Sequence, residues 1–410
     1  MKNIKISKNK AFLSLMLIFV FAAASSVILA QGSVKDDILK QFKENKAQID
    51  KTDEELKASM QDMVEDLKKK NAKFKVELNE MMKYKISEIT GLKPPSNKEL
   101  KRLEEERRKK EELERKRAEN ERQKELKRLE DERKKREEEI NRENDRKKQE
   151  EMRKQEEERR KQEDQKRNEQ DKKEQMLDRN VPLNLAPSIT LAAFAWNGKN
   201  TSTVVQYQGT CGSCWAFTSA AAYETNYIIK NGKTLHISEQ AILNCSVDRT
   251  GKKAGSCDGG WYGGVFDYLM VNGAKTADQF PYQGKAASCA DNSKTKYMVL
   301  KWGYIRSDAG IPSVKEVKEA IAKYGAIAAT VKVTPAFQAY KSGIFDEHTK
   351  VSGPNDVNHA ITIVGWDDNK QAYLVKNSWG PQWGENGYIW VEYGSNNIGY
   401  GAAWIVVAQE

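Results

Sequence analysis

A cysteine preceded by glycine and small residues and followed by an apolar, helix-periodic run is the arrangement expected of a thiol nucleophile at a helix N-terminus. The stretch Gln208-Gly-Thr-Cys211-Gly-Ser-Cys214-Trp215-Ala-Phe reads that way. Such a thiol needs a base, and the chain has three histidines. His236 precedes a helix in a polar loop, His348 lies in a charged loop, and His359 opens the β-branched run His-Ala-Ile-Thr-Ile-Val. A side chain at a strand's mouth is held rigidly yet stays reachable, which favours His359. A free thiol of pKa ~8.5 is mostly protonated at neutral pH, and an imidazolium together with a helix N-terminus lowers that value. Cys214 and His359 would then rest as a thiolate and imidazolium. The ring would protonate a leaving amine and later activate water to release an acyl group from sulfur. Asn377, in the next strand, would fix the ring's tautomer and direction, and Trp379 would shield that bond from water. The amide of Gln208 and the backbone N–H of Cys214 would serve the oxyanion. This chemistry calls for no cofactor and no metal.

These groups must be held by elements from both halves of the region that begins near residue 190. Cys214 to Lys230 is apolar-periodic and ends at Asn231-Gly232, a helix stop. Further helices are expected at Ser238 to Leu243 and Gly264 to Met270, and a third at Ser313 to Tyr324, with Ser313 and Glu316 as a capping box. Strands are expected at Met298 to Ile305, Ala326 to Val333, His359 to Gly365, Ala372 to Lys376, Tyr388 to Glu392 and Trp404 to Val407. Nucleophile and base then come from different lobes, with a cleft for an extended peptide between them. The five cysteines are an odd number, so one free thiol and two bridges suit an exported chain. Leaving Cys214 out, the other four allow three pairings. A zinc reading fails because Cys211-x-x-Cys214 has no matching second pair.

From about 190 to 410 the chain resembles the papain-like cysteine peptidases. The resemblance rests on Cys211-Gly-Ser-Cys214-Trp215 with His359 following 145 positions after Cys214, on Trp196, and on Ser238-Glu-Gln. Cys257-Asp-Gly259-Gly260, Pro281-Tyr282, Phe337-x-x-Tyr340-x-x-Gly343 and Asn377-Ser-Trp379-Gly continue the family's order. It implies an α+β fold of two lobes, one helical and one β-barrel-like, at 191–410, acting as an endopeptidase. It also implies bridges Cys211 with Cys257 and Cys245 with Cys289. Gly259 and Gly260 would hydrogen-bond the substrate backbone. Trp261, Tyr262, Val357 and Ala360 would line the main specificity pocket, for an apolar or aromatic side chain one residue upstream of the cut residue.

The first 180 residues have a different composition. They hold 50 basic and 42 acidic residues of the chain's 70 and 60, leaving the rest nearly neutral at 20 against 18. Lys2, Lys5, Lys8 and Lys10 precede the apolar run Ala11 to Leu29, so 1–30 reads as a signal peptide, with an uncleaved anchor as the alternative. The implied location is secreted, periplasmic or at the cell surface. Residues 31–92 carry a heptad-like apolar seam at Phe42, Ile49, Leu56, Met60, Met63, Leu67, Phe74 and Met81. That stripe must be covered by a second copy, a hairpin or the peptidase region, which suits self-association or partner binding through these helices. Gly91-Leu-Lys-Pro94-Pro95 breaks the helix, and Ser96-x-x-Glu99 starts another. Residues 93–177 read as a solitary charged helix or coiled-coil-like stalk, ~1.5 Å per residue, laced by i,i+4 ion pairs. A disordered polyampholyte is the alternative. Nucleic-acid binding is disfavoured because acids alternate with the bases and no aromatics interleave them. Residues 178–190 form a Pro-bearing linker open to maturation cutting. The region stands where the family's propeptide stands but lacks its residue pattern, so latency is a hypothesis here.

Overall fold

The computed structural model describes residues 53–96, part of 102–133, 191–198 and 202–410. The signal peptide, the seam positions Phe42 and Ile49, most of the charged stretch beyond 133 and the linker before 191 lie outside the described residues. The chain divides into two compact units, one of residues 1–101 with 186–410, the other 102–185. In the second unit residues 119–133 form a helix whose residues are nearly all exposed. It carries an i,i+4 pair as expected, Arg128 to Glu132 at 3.5 Å, and two i,i+3 pairs, Lys124 to Glu121 at 2.9 Å and Arg128 to Glu125 at 3.4 Å. Each such pair adds ~0.2–0.5 kcal/mol.

The first unit begins with α1 (Asp53–Lys69), β1 (Phe74–Val76), a 3-10 turn (Glu80–Lys83) and α2 (Ile86–Ile89). The expected seam is therefore not one helix to Ile89. On α1, Leu56 and Met60 are buried and Met63 and Leu67 partly so, the 3.6-residue stripe of an amphipathic helix. The helix stops at Lys69 because Asn71 takes a left-handed backbone with φ 51°. Phe74 then falls on a strand and Met81 on the turn, both still buried. The same unit of the chain covers the stripe: Phe74, Met81, Tyr84 and Ile89 belong to the apolar cluster that holds Phe337, Trp379 and Trp383.

The remaining elements follow as β2 (Ala193–Ala195), α3 (Cys214–Asn231), α4 (Glu239–Cys245), β3 (Gly255–Ser256), β4 (Gly259–Gly260), α5 (Tyr262–Val271), β5 (Val299–Tyr304), α6 (Val314–Tyr324), β6 (Ile327–Val331), α7 (Pro335–Gln338), β7 (Tyr340–Phe345), β8 (His359–Asp367), β9 (Ala372–Lys376), β10 (Tyr388–Glu392) and β11 (Ala403–Val407). The expected helices and strands after residue 190 agree within a few residues, while β2, β3, β4, α7 and β7 were not among them. A nine-stranded sheet runs β1-β7-β10-β9-β8-β6-β11-β5, with β2 also on β8. Its pairs are antiparallel apart from β10 with β7. One core, around Trp215, Tyr223, Tyr262 and Phe266, belongs to the helices, and the second, around Phe337, Trp366 and Trp379, to the sheet. The fold is α+β, as expected.

Among the contacts that join the N-terminal segment to the rest, two are strand-like. β1 adds to β7 as a further antiparallel strand, with Phe74 opposite Gly343. Leu92 makes a parallel bridge to Gly260. Between them the Gln338 amide donates to the carbonyls of Met81 and Tyr84, the latter at 2.9 Å.

Candidate active site

Cys214 is the first residue of α3, whose far end is closed by Gly232 at φ 66°, its N–H on the Ile228 carbonyl. The loop before it is braced by the disulfide Cys211–Cys257 and by the Gly212 N–H on the Cys257 carbonyl at 2.8 Å. The second bridge is Cys245–Cys289, and Cys214 is the free cysteine. Both pairings are those that the family resemblance implied. Each joins parts of the helical lobe, which leaves the nucleophile's loop little freedom.

His359 is the first residue of β8, and the N–H of its neighbour Ala360 lies 3.4 Å from Cys214 Sγ. Its Nε2 is 2.8 Å from Asn377 Oδ1, which also accepts the Ser378 N–H at 2.8 Å. An oxygen that already accepts from a backbone N–H requires the ring to donate, so Nε2 carries the hydrogen and Nδ1 its lone pair. Nδ1 is buried without a hydrogen-bond partner. Trp379 lies against the ring, centroids 4.9 Å apart, and is itself buried, so the ring–amide bond is kept from water. Gln208 is oriented at both ends. Its Oε1 accepts from Ser378 Oγ at 2.6 Å, and its Nε2 donates to the Cys211 carbonyl at 3.0 Å.

Burial pushes the Cys214 thiol up to about 12, against the opposing pull of backbone N–H groups. Burial likewise holds His359 down to about 4, although the hydrogen bond to Asn377 favours the charged ring. Burial thus disfavours the charged form of each group.

Residues 89–93 lie against residues that flank both groups. The N–H groups of Gly91 and Leu92 both reach the Asn358 carbonyl, at 3.2 and 3.1 Å. Lys93 N–H donates to Gly260 O at 3.0 Å, and Gly260 N–H donates to Gly91 O at 2.9 Å. Trp379 Nε1 donates to the Ile89 carbonyl at 2.9 Å. A Cβ placed on Gly91 would lie 2.3 Å from the Gly212 oxygen, so only glycine lets the two backbones approach this closely. The Gly91 carbonyl is turned to Gly260, and the Gln208 amide spends its resolved hydrogen bond on Cys211.

Among the expected substrate contacts, Gly260 does pair with an extended backbone, that of Leu92. Leu92 is buried in one apolar cluster with Trp261, Tyr262, Val357 and Ala360. Trp261 and Tyr262 direct their polar ends inward, to Tyr304 Oη at 2.8 Å and the Gly401 carbonyl at 2.6 Å. Gly259 is the other residue of β4. The other histidines stand apart from this site. His348 contacts Glu392 at 2.6 Å, and His236 Nδ1 is 3.9 Å from Glu224. Sequence reading passed over Gly91, Leu92, Asn358 and Ser378. Gly91 was visible as a helix breaker, but nothing local signals that its backbone lies against Gly212.

Residues 190–407 match the family model for papain family cysteine protease. The chain is 37% identical over 202 residues to gamete and mating-type specific protein A of Dictyostelium discoideum, covering 48% of this chain and 42% of that one. It is 35% identical over 213 residues to pro-cathepsin H of Mus musculus, covering 50% of this chain and 62% of that one. A solved structure of digestive procathepsin L 3 from the larval midgut of Tenebrio molitor is 29% identical, with a TM-score of 0.46, covering 54% of this chain and 72% of that one. The chain thus spans 42 to 62% of the length of the two curated relatives.

Proposed function

Since this chain belongs to the papain family of cysteine proteases, we propose that it is an exported cysteine endopeptidase held latent by its own residues 53–93. The observation that carries the reading is the dyad: a free thiol on the first turn of α3, beside the strand that opens with an imidazole whose far nitrogen is tied to an amide at 2.8 Å. With the cleft open to water, the desolvation that keeps the pair neutral is relieved. The proton moves from Cys214 Sγ to His359 Nδ1, helped by the partial positive charge of the α3 N-terminus.

The thiolate attacks the peptide carbonyl carbon, and its oxygen becomes an oxyanion near Gln208 Nε2 and the Cys214 N–H. Each donor aimed at that charge is worth about 2.7–4 kcal/mol in comparable sites. The intermediate collapses as the imidazolium protonates the departing amine, leaving an acyl group on sulfur. The ring, neutral again, takes a proton from water, which attacks the thioester, and the thiolate is expelled. Asn377 keeps Nδ1 directed at sulfur throughout, because its oxygen holds the opposite N–H. Gly260 supplies the backbone pairing for a substrate, and the apolar surroundings of Leu92 support preference for an apolar side chain there.

Latency is supported by the position of residues 90–93, which occupy the backbone sites a substrate would need without presenting a carbonyl to the Gln208 amide. Self-association through the N-terminal stripe loses its motive from Leu56 to Met81, because those side chains are covered by the same unit of the chain. Export is supported by the apolar leader and by two disulfides, which persist in oxidising compartments. The deciding experiment compares wild type with Cys214→Ala on a fluorogenic peptide ending in an apolar residue and arginine, under thiol reductant and after cutting the 97–190 arm. Turnover by wild type alone is expected. Equal rates in the two would end the catalytic claim.

A further inference from the structure

Next to Asn377 the protein buries charge that the mechanism above does not use. A small cavity of about 10 Å³ is lined by Phe217, Ala221, Glu224, Glu239, Lys376 and Asn377, among others. Glu224 is 2% exposed, Glu239 6% and Lys376 4%. Charged side chains are rarely this deep unless paired, and apolar replacements of buried ion clusters are often neutral or stabilising, so stability does not account for the cluster.

Its hydrogen bonds run in one direction. The Lys376 ammonium donates to the Thr203 carbonyl at 2.8 Å, Thr203 Oγ1 at 3.0 Å and Ser202 Oγ at 3.3 Å, using all three of its hydrogens. The Thr203 hydroxyl, receiving from the lysine, donates to Glu224 Oε2. The other Glu224 oxygen accepts the Ile237 N–H at 2.9 Å. Lys376 is the last residue of β9 and Asn377 follows it directly, while Glu224 lies on the helix that begins at Cys214. The chain of bonds therefore joins the strand that delivers the imidazole's partner to the helix that delivers the thiol. Burial lowers Lys376 to about 8, with Glu224 and Glu239 opposing that fall, and burial, with Glu224 nearby, raises the Glu239 carboxyl.

We propose that Lys376, Thr203 and Glu224 are positioning residues for peptide hydrolysis, setting the end of β9 against α3 so that Asn377 meets the His359 ring in line with Cys214. The inference rests on the peptidase reading. The Thr203 hydroxyl is its hinge, being both acceptor and donor, and a misplacement of ~1 Å between reacting groups costs on the order of 100-fold.

The test uses the full-length chain carrying Gly91→Ala to keep the cleft open, with Thr203→Val, Thr203→Ser and Glu224→Gln added singly and Thr203→Val with Glu224→Gln together. Thr203→Val should lower kcat about 10- to 100-fold with KM within about twofold, and shift the acid limb of Cys214 alkylation by iodoacetamide upward. Thr203→Ser should stay within about twofold of the parent, and the double variant should be no worse than the poorer single one, as for residues acting as a unit. Glu224→Gln keeps the side chain's shape and carries the same readout should Thr203→Val fail to fold. Unchanged kcat in Thr203→Val and Glu224→Gln, or a Thr203→Ser loss equal to that of valine, would overturn the inference while leaving an active parent. A parent without turnover overturns the peptidase reading and this inference together.

Discussion

Replacing Gly91 with alanine adds a single methyl group at the point where the N-terminal segment crosses the cleft. That carbon would sit 2.3 Å from the Gly212 oxygen and 2.5 Å from both its carbonyl carbon and its Cα, all of them backbone atoms that no rotamer change can move. The residue's φ of +138° is also one that side chains rarely adopt. Such backbone strain costs about 1–3 kcal/mol and overpacking a close contact a similar amount, so docking of residues 90–93 should weaken by about 4 kcal/mol. That is roughly a thousandfold in the docking equilibrium. The assay is the initial rate of peptide hydrolysis by purified full-length protein, with intact mass checked before and after. Wild type should be nearly silent, Gly91→Ala active without loss of mass, and Gly91→Ala with Cys214→Ala silent again. Gly232→Ala is the control, because its φ is +66° but no atom lies within 4 Å of the added carbon. Wild-type chain as active as Gly91→Ala from the first minute, at unchanged mass, would refute the reasoning. Relief of latency by Gly232→Ala would show that general destabilisation, and not the contact with Gly212, was responsible.

Phe74 is buried with its ring 4.7 Å from Phe345, and truncating a buried phenylalanine costs about 3–5 kcal/mol, so Phe74→Ala should raise full-length activity at least 100-fold. In the covered chain the neutral Cys214 thiol should react slowly with iodoacetamide at pH 7, and alkylation measured by mass should speed up in Gly91→Ala; equal rates would count against desolvation as the cause. Burial raises the Glu392 carboxyl, but hydrogen bonds from Lys73 and His348 outweigh it and leave the group below its usual range. Its contribution to docking is therefore present above the free carboxyl's pKa of ~4.3 and lost as pH falls below it. Activation of wild type should accordingly accelerate under pH ~4.5, and Lys73→Ala should flatten that acid dependence. Asp291 is held down to about 2, chiefly by its hydrogen bond from Lys275. The stability it adds to the helical lobe is complete above pH ~4 and lost toward pH 2, so Asp291→Asn should remove part of the acid loss of Tm in that window.

Much of the site was readable because its chemistry is written in residue type and order. One thiol, one well-placed histidine and one asparagine before Ser-Trp-Gly leave few ways to assemble a nucleophile and its base. The strands around them were readable too, since β8 and β9 are buried along their whole lengths and are largely apolar without an alternating polar face. The N-terminal segment was harder. Its apolar spacing continued from Leu56 through Met81, and periodicity alone could not register that Asn71 turns left-handed and ends the helix. β1 has three residues, too few for its Phe-Lys-Val alternation to stand out from the helical spacing. It is a strand because β7, more than 250 positions later, offers an unpaired edge, and Lys75 and Ser342 align there.

The disulfides divide the same way. Counting cysteines required one free thiol and allowed three pairings, family likeness indicated one of them, and the fold brings those sulfurs together. Residue types and their order along the chain, by themselves, determined which residues are candidates for nucleophile and base, the two-lobed α+β body and the contrast between a charged N-terminal half and a nearly neutral C-terminal one. Tertiary structure alone decided that Gly91 and Leu92 lie against Gly212, Asn358 and Gly260, and that Lys376, Thr203 and Glu224 form a buried line of hydrogen bonds. The physical reason is common to both. Such contacts join backbone and polar groups of different elements, many of them a hundred or more residues apart, and a hydrogen bond or a close approach of two glycines leaves no periodic trace in the segment that makes it.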